Sequence, residues 1–204
     1  DHEAASSSSK PVDYFQVMGI ERNFRISPDQ LKTLYKERMK ILHPDKHTLK
    51  PTEERERVAQ LSTDVTRGYA ILKDDYDRTL HLLELEHGGE YAMEDDMSGD
   101  ILGMEFLMEV MEIRECVDGA STDGELKRLL EENKVRMAET CKELEILFDA
   151  YHQRHDGNDD TDSDGDGACK SDGECLMGAK RLAATLQYWN RIQETIMDKT
   201  TSID

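Results

Sequence analysis

Residues 28–45 read PDQLKTLYKERMKILHPD, an amphipathic segment that ends in the tripeptide His43-Pro44-Asp45. Ser27, just before it, is a favourable N-cap, and Pro28 suits the first helical position because its missing N–H would have no partner there. The apolar residues recur at helical spacing and so share one face. They are Leu31, Leu34, Tyr35, Met39 and Leu42. The segment is therefore predicted to be a helix with one buried face.

A second amphipathic run extends from Thr52 to Leu72 and opens with a highly charged turn. Its apolar residues also step by three or four positions. They are Val58, Leu61, Val65, Tyr69 and Leu72. Because the polar connection 43–51 is short and both helices must bury an apolar stripe, we predict an antiparallel hairpin with the tripeptide at its exposed tip.

The tripeptide is built to face outward. Pro44 fixes its own φ and disfavours a helical conformation at His43, so the chain leaves the first helix there and presents the imidazole and the Asp45 carboxylate. Three lysines, spaced four residues apart on the first helix, run toward it. They are Lys32, Lys36 and Lys40, the lysine stripe. Such a stripe is often only a solvated helix face, but its position beside the tripeptide favours a binding role.

The hairpin and the upstream segment VDYFQVMGI, residues 12–20, together resemble a J-domain, the module that stimulates ATP hydrolysis by DnaK-type chaperones. The resemblance covers residues 12–82. In that family the tripeptide and the basic face of the preceding helix contact the ATPase chaperone. The resemblance thus implies a chaperone-binding site made of Lys32, Lys36, Lys40, His43, Pro44 and Asp45.

Composition excludes several classes of function. The chain has 26 basic and 45 acidic residues, and its formal charge of −19 argues against a nucleic-acid partner, because neutralising phosphates needs a basic surface. No apolar run reaches the roughly eighteen residues that a membrane helix needs. The four cysteines form no C-x-x-C pair, which predicts free thiols in a reducing compartment. No nucleophile elbow, phosphate loop or H-E-x-x-H motif is found, so no catalytic residue is expected.

The predicted helix at residues 101–117 has two apolar faces. At 100° per residue, one face carries Phe106, Val110, Ile113 and Val117. The opposite face carries Met104, Met108 and Met111, the methionine face. A helix that is apolar on both sides is either enclosed in a bundle or exposes one side to a partner. Methionine suits an adaptable binding surface, although a methionine row is more often plain core.

The run MEFLMEVMEIRE, residues 104–115, is similar to a signature of the HscB family, the J-proteins of iron–sulfur cluster assembly. In that family this helix binds the scaffold protein on which clusters are assembled. The resemblance implies that the scaffold contacts are Leu107, Met108, Met111, Glu112 and Glu115. The chain departs from relatives that continue with further acidic residues, since it has Cys116 and Gly119 there.

Two further helices are predicted downstream. Residues 126–151 carry a seven-residue apolar repeat typical of a coiled-coil-like seam, and residues 178–199 carry a matching stripe. Tyr188 lies off that stripe, as either a snorkelling surface residue or a partner contact. The surrounding TLQYWNRI, residues 185–192, resembles the same family, which implies that Tyr188 contacts the scaffold.

Residues 156–174 are rich in Asp, Gly and Ser and have too little apolar content to fold, so a disordered acidic insertion is predicted. Asp160, Asp162, Asp164 and Gly165 fit the start of a calcium-binding loop, but Ser171 stands where the bidentate Glu is needed. No metal site and no permanently bound cofactor are therefore expected.

These observations predict an all-α protein with two domains, and the family resemblance implies an L-shaped arrangement of them. Residues 1–11 are expected to be a disordered or trimmed N-terminus, and 12–82 a J-domain built on the helical hairpin. Residues 83–100 would be a linker and helix end, and 101–204 a C-terminal three-helix bundle containing the insertion 156–174.

The resemblance implies a co-chaperone, not an enzyme, which binds the iron–sulfur scaffold and delivers it to a DnaK-type chaperone, stimulating its ATPase to promote cluster transfer. The alternatives are a general J-protein with a different client and an acidic adaptor protein. Neither nucleic acid nor membrane is expected as a partner. The expected compartment is the mitochondrial matrix, or the cytoplasm if the source is bacterial.

Overall fold

The computed structural model describes residues 11–87, 98–155 and 171–203, and within these ranges the secondary structure is helical with no strand. The α-helices are α1 (Tyr14–Met18), α2 (Pro28–Leu42), α3 (Thr52–Lys73), α4 (Asp75–His87), α5 (Ser98–Gly119), α6 (Asp123–His155) and α7 (Asp172–Ile203). A 3₁₀ turn, Pro44–His47, joins α2 to α3. The prediction of an all-α protein is confirmed. The chain divides into two compact units, Asp1–Tyr91 and Ala92–Asp204.

The first unit is organised around the predicted hairpin of α2 and α3. The ring of Tyr35 stacks on that of Tyr69 with centroids 4.3 Å apart. One turn further along α2, the Met39 sulfur lies 3.7 Å from the Ser62 hydroxyl. A residue later in α2 thus contacts a residue earlier in α3. The two helices are therefore antiparallel, as the pattern of apolar residues predicts.

The ends of α2 follow from local sequence. Its N-cap is Ser27, whose hydroxyl oxygen accepts a hydrogen bond from the Gln30 N–H at 3.4 Å. It ends at Leu42 because His43, the residue before Pro44, takes an extended conformation with φ −60° and ψ 129°. The tripeptide therefore begins where the helix stops.

Helix α1 packs across α3 and is tied to α4. The Tyr14 N–H donates a hydrogen bond to His81 Nε2 at 3.2 Å, and the ring of Phe15 is stacked on the His81 imidazole at 5.8 Å. Gly68 permits the close approach of α1 and α3, because a Cβ atom at that position would lie 3.0 Å from the Tyr14 ring. These contacts bury the His81 side chain, which lies on α4, against α1.

The second unit is a three-helix bundle in which α7 packs against both α5 and α6. Helix α6 opens with a capping box, since Glu125 accepts from the Ser121 and Thr122 N–H groups and the Thr122 hydroxyl oxygen accepts from the Glu125 N–H. One buried cluster joins the three helices. Its members are Val110, Ile113, Val117, Ala120, Leu126, Leu129, Trp189, Ile192 and Ile196.

Helix α5 is broken near its start. Gly103 has φ 78° and ψ 159°, a conformation that side chains with a Cβ atom rarely adopt. The regular helix that carries the methionine face therefore begins immediately after Gly103, and the predicted start at Ile101 lies in the short segment before the break.

Helix α7 begins earlier than the sequence pattern indicates. The predicted stripe starts at Gly178 and the predicted insertion extends to Glu174, whereas the structure places Asp172 to Glu174 in the first turn of α7. Ser171 caps this turn by accepting from the Glu174 N–H at 3.2 Å, and acidic residues are favourable at a helix N-terminus. The remainder of the insertion, 156–170, lies outside the described residues, as do residues 1–10.

The prediction of free thiols is wrong at Cys175, which is buried and disulfide-bonded. Cys116 is an exposed free thiol. A disulfide depends on the distance and relative direction of two cysteines in space, which the folded chain decides and a search for C-x-x-C spacing does not detect.

Candidate functional site

The tripeptide lies on the surface at the tip of the hairpin. The side chains of His43 and Asp45 are 59% and 86% exposed. The Asp45 N–H donates to His43 Nδ1 at 3.3 Å, which requires Nδ1 to be the unprotonated nitrogen. In that tautomer Nε2 carries the proton, and Nδ1 cannot also donate to the Asp45 carboxylate 3.6 Å away.

The tripeptide is held by the 3₁₀ turn that contains it. The Lys46 N–H donates to the His43 carbonyl at 3.0 Å. The His47 Nε2–H donates at 2.9 Å to the Ile41 carbonyl, one of the last carbonyls of α2, which no intrahelical N–H reaches. His47 thus fixes the turn to the end of the helix. The sequence pattern indicates no such role for His47.

The lysine stripe is exposed along its whole length. Lys32, Lys36 and Lys40 lie on one side of α2, which leads directly to the tripeptide. The first unit therefore presents cations, an imidazole and a carboxylate on one surface of the hairpin. Such a surface suits a partner with acidic and hydrogen-bonding groups.

Helix α5 has the two apolar faces that the helical wheel predicts, and the structure buries one of them and exposes the other. Val110, Ile113 and Val117 are buried in the core cluster. On the opposite side Met108 and Met111 are 56% and 62% exposed. Exposed methionines grouped on one helix face are a marker of a binding surface, since soluble proteins seldom leave such apolar groups together in water.

The other predicted scaffold contacts border the methionine face. Leu107 is half-buried, and Glu112 and Glu115 are exposed beside it. Tyr188, on α7, is also half-buried, with its ring edge-on to Phe106 and the centroids 5.8 Å apart. The structure thereby gives Tyr188 a packing partner on α5, which the sequence stripe alone does not show.

Two side chains that sequence reasoning missed hold α5 in place. The Lys199 ammonium group donates to the Val117 and Asp118 carbonyls at 2.8 and 2.6 Å, which satisfies the C-terminal end of α5. Arg136 on α6 forms an ion pair with Glu109 at 3.5 Å. Neither has a local sequence signal, because each contact joins helices that are far apart along the chain.

Within residues 11–87, 98–155 and 171–203, no three His, Cys, Asp or Glu side chains are grouped so that they could hold a metal ion. The calcium-loop-like run that begins at Asp160 lies outside these ranges. In the same part of the chain, no helix has the length and apolar content required to cross a bilayer.

The chain resembles several known proteins. A family model described as the HSCB C-terminal oligomerisation domain matches residues 102–197. The co-chaperone protein HscB homolog of Azoarcus sp. (strain BH72) is 33% identical over 145 residues, which cover 71% of this chain and 79% of that protein. The iron–sulfur cluster co-chaperone protein HscB homolog of Arabidopsis thaliana is 33% identical over 118 residues, or 58% of this chain and 45% of that protein.

Solved structures share the fold. The crystal structure of human co-chaperone protein HscB has a TM-score of 0.71 and 25% identity, covering 92% of this chain and 82% of that one. The chaperone HscB from Vibrio cholerae has a TM-score of 0.69 with 19% identity, covering 95% of this chain and all of that one.

Proposed function

Because this chain belongs to the HscB family of iron–sulfur cluster co-chaperones, we propose that it binds the iron–sulfur assembly scaffold and delivers it to a DnaK-type chaperone. It acts as a co-chaperone and not as an enzyme: its J-domain stimulates the chaperone's ATPase, which promotes cluster transfer. The single observation that carries the proposal is the exposed methionine face on a helix whose other face is buried.

The chaperone contact is assigned to the first unit. His43, Pro44 and Asp45 form the contact together with the lysine stripe. The exposed imidazole and carboxylate are held by a turn fixed to α2, so little ordering entropy is lost when a partner binds. The proposed domain, residues 12–82, contains α1, the hairpin and part of α4, which continues to His87.

The scaffold contact is assigned to the second unit. Leu107, Met108 and Met111 supply apolar area, Glu112 and Glu115 supply charge at the rim, and Tyr188 supplies an aromatic contact from the neighbouring helix. This composition, an apolar centre with a polar border, is that of a protein interface. The bound scaffold would be a protein with an apolar patch beside basic residues.

The two contacts together explain why one chain carries both units. Linking two binding modules makes the second encounter intramolecular, and for a short flexible linker the effective concentration reaches the millimolar range. The scaffold is thereby brought to the chaperone at a concentration that free diffusion does not supply. Cluster and scaffold are cargo, and no cofactor resident in this chain is required.

The test is a calorimetric titration with the iron–sulfur scaffold of the source organism. The Leu107→Ala, Met111→Ala, Tyr188→Ala variant is expected to bind at least about a hundredfold more weakly than the wild type, a loss of about 2.7 kcal/mol, because truncation of even one interface anchor commonly costs about 2 kcal/mol. The matched control is Met177→Ala, which removes another exposed methionine of the same unit, 54% exposed on α7. Its affinity should equal that of the wild type.

Helicity of all variants must match, so that a loss of binding is not a loss of fold. ATPase stimulation, measured with the chaperone alone, should be unchanged in the triple variant. A wild type that fails to bind the scaffold under reducing conditions, while it still stimulates the ATPase, would support a general J-protein with another client.

For the compartment, we propose the mitochondrial matrix if the source is a eukaryote and the cytoplasm if it is a bacterium. Family resemblance supports this assignment. Localisation of the tagged full-length protein in the source organism tests it.

A further inference from the structure

The proposed scaffold site is composite, because its side chains come from two helices. Leu107, Met108 and Met111 lie on α5, whereas Tyr188 lies on α7. A partner can contact all of them together only if α5 keeps one rotational setting relative to α7. The apolar packing of Val110 and its neighbours constrains that setting, and directional polar contacts constrain it further.

Small rotations of α5 about its axis would displace the side chains of the methionine face relative to Tyr188. Side chains extend about 5–6 Å from a helix axis, so a roll of about 20° displaces their ends by about 2 Å. The N-terminal part of α5 is the more vulnerable, because the helix is interrupted at Gly103 just before the methionine face. At the other end, Lys199 already holds the last carbonyls of the helix.

Arg136, on α6, contacts both helices of the site near this interrupted end. Its Nε atom lies 3.5 Å from Glu109 Oε1, and Glu109 is adjacent in sequence to Met108. Its guanidinium carbon lies 5.8 Å from the ring centroid of Trp189, the neighbour of Tyr188. A planar guanidinium group can form an ion pair and stack on an aromatic ring at once, and both interactions depend on direction.

Aromatic contacts connect Trp189 to Tyr188 of the proposed scaffold site through Phe106. The ring of Phe106, on α5, is edge-on to Trp189 at 5.1 Å and edge-on to Tyr188 at 5.8 Å. The Arg136 side chain is 29% exposed, so solvent screens its ion pair only in part. Removal of the Arg136 side chain would therefore abolish both its ion pair with Glu109 and its contact with the Trp189 ring, against which Phe106 of α5 packs.

We infer that Arg136 is a positioning residue for scaffold binding: it sets the rotation of α5 so that the methionine face and Tyr188 can contact one partner together. The inference rests on the proposed function. Arg136 acts through Glu109 and Trp189 and need not touch the scaffold. It lies outside the set of residues that sequence resemblance assigns to this site.

The experiment compares Arg136→Ala with Arg128→Ala by calorimetric titration with the scaffold. Arg128 is on the same helix and pairs with Glu132 at 3.8 Å within α6, so its removal changes net charge equally without touching α5 or α7. Arg136→Ala should bind about five- to tenfold more weakly, as expected for loss of a coupling between contacting groups. Arg128→Ala should bind within about twofold of the wild type.

Two further variants separate positioning from folding. Arg136→Lys keeps the charge but not the planar stack, and should recover part of the affinity. The double variant Arg136→Ala, Glu109→Gln should bind the scaffold as weakly as Arg136→Ala alone, because the two groups act as one pair. If Arg136→Ala does not fold, Arg136→Gln replaces it.

The outcomes are distinct. A wild type that does not bind the scaffold overturns the proposed function and this inference with it. A wild type that binds, with Arg136→Ala binding equally well, overturns the inference alone. An equal loss in Arg128→Ala also overturns it, since the effect would then be one of net charge. A loss specific to Arg136, restored in part by lysine, supports it.

Discussion

The two units present their proposed binding surfaces in opposite ways. In the first unit the groups are polar, and the tripeptide lies at a turn that a proline and a few hydrogen bonds hold at the end of α2. In the second unit the central groups are apolar, they lie on α5 with Tyr188 on α7, and packing between the helices holds them. A polar site can thus be specified by a short segment, whereas an exposed apolar face depends on packing behind it.

The difference also separates function from stability. His43 and Asp45 have almost no role in the core, so their substitution should leave the fold intact. Residues of α5 alternate between the core and the surface, so substitutions at neighbouring positions should differ in whether they lower stability or weaken binding.

The largest effect is expected at the tip. Asp45→Asn should reduce ATPase stimulation by about thirtyfold, since removing one partner of a charged contact that binding buries commonly costs about 2 kcal/mol or more. Its free energy of unfolding should change by no more than about 0.5 kcal/mol, as for other exposed substitutions. Single-turnover ATPase rates and urea unfolding measure the two quantities. Stimulation equal to that of the wild type would contradict the assignment.

Next in size is the contrast within α5. Ile113→Ala should lower the free energy of unfolding by about 2–4 kcal/mol, because it leaves a cavity in the core cluster. Met108→Ala should change it by less than about 0.5 kcal/mol and instead weaken scaffold binding. Urea denaturation and calorimetry on the same samples test both. The two-faced description of α5 is wrong if Met108→Ala proves as destabilising as Ile113→Ala.

Acid should weaken the first unit through His81. Burial lowers the pKa of His81, and nearby Glu84 and Asp13 oppose that shift while Arg22 adds to it. The unfolded chain, with an ordinary pKa near 6.5, therefore binds protons before the folded chain does. Stability is retained above that value and falls as the pH decreases from it toward the lowered folded pKa.

The geometry supports this direction. Neutral His81 accepts the Tyr14 N–H at Nε2, and a proton on Nε2 would abolish that bond. Urea midpoints measured from about pH 7.5 to about pH 5.5 test the prediction. His81→Gln, which can still accept the N–H but does not titrate, should show a smaller loss over this range. An equal loss in both proteins would assign the pH dependence to other groups.

The smallest effect is expected for a single lysine of the stripe. Lys36→Ala should weaken chaperone binding by about two- to threefold at low salt, because exposed ion pairs contribute at most about 1 kcal/mol. The difference should shrink as salt screens the charges. Binding measured at two salt concentrations tests this, with Lys134→Ala on α6 as the control for net charge. An effect that salt does not alter would indicate a contact of another kind.

Much of this organisation follows from local sequence. The N-cap at Ser27 and the proline after His43 define the ends of α2 through interactions within a few residues. The period of Val110, Ile113 and Val117 against Met108 and Met111 predicts the two faces of α5, because a helix places residues on its surface at a fixed angle. The assigned binding residues themselves stay predictions that the experiments above address.

Other features could not be predicted, since they depend on residues far apart along the chain. Arg136 meets Glu109, His81 meets Tyr14, and Lys199 meets the end of α5 only after the helices have packed. The disulfide at Cys175 and the left-handed conformation of Gly103 are likewise consequences of the folded path.

The sequence by itself determined the helices, the hairpin and the apolar periodicity, because backbone geometry and side-chain spacing act over a few residues. Only the tertiary structure decided which apolar face of α5 is buried and which side chains hold that helix in place. The physical reason is that the hydrophobic effect favours the burial of either apolar face and does not by itself select one of them. Residues of α7 and α6 pack in one core cluster with one of these faces, which removes it from water and leaves the methionines exposed.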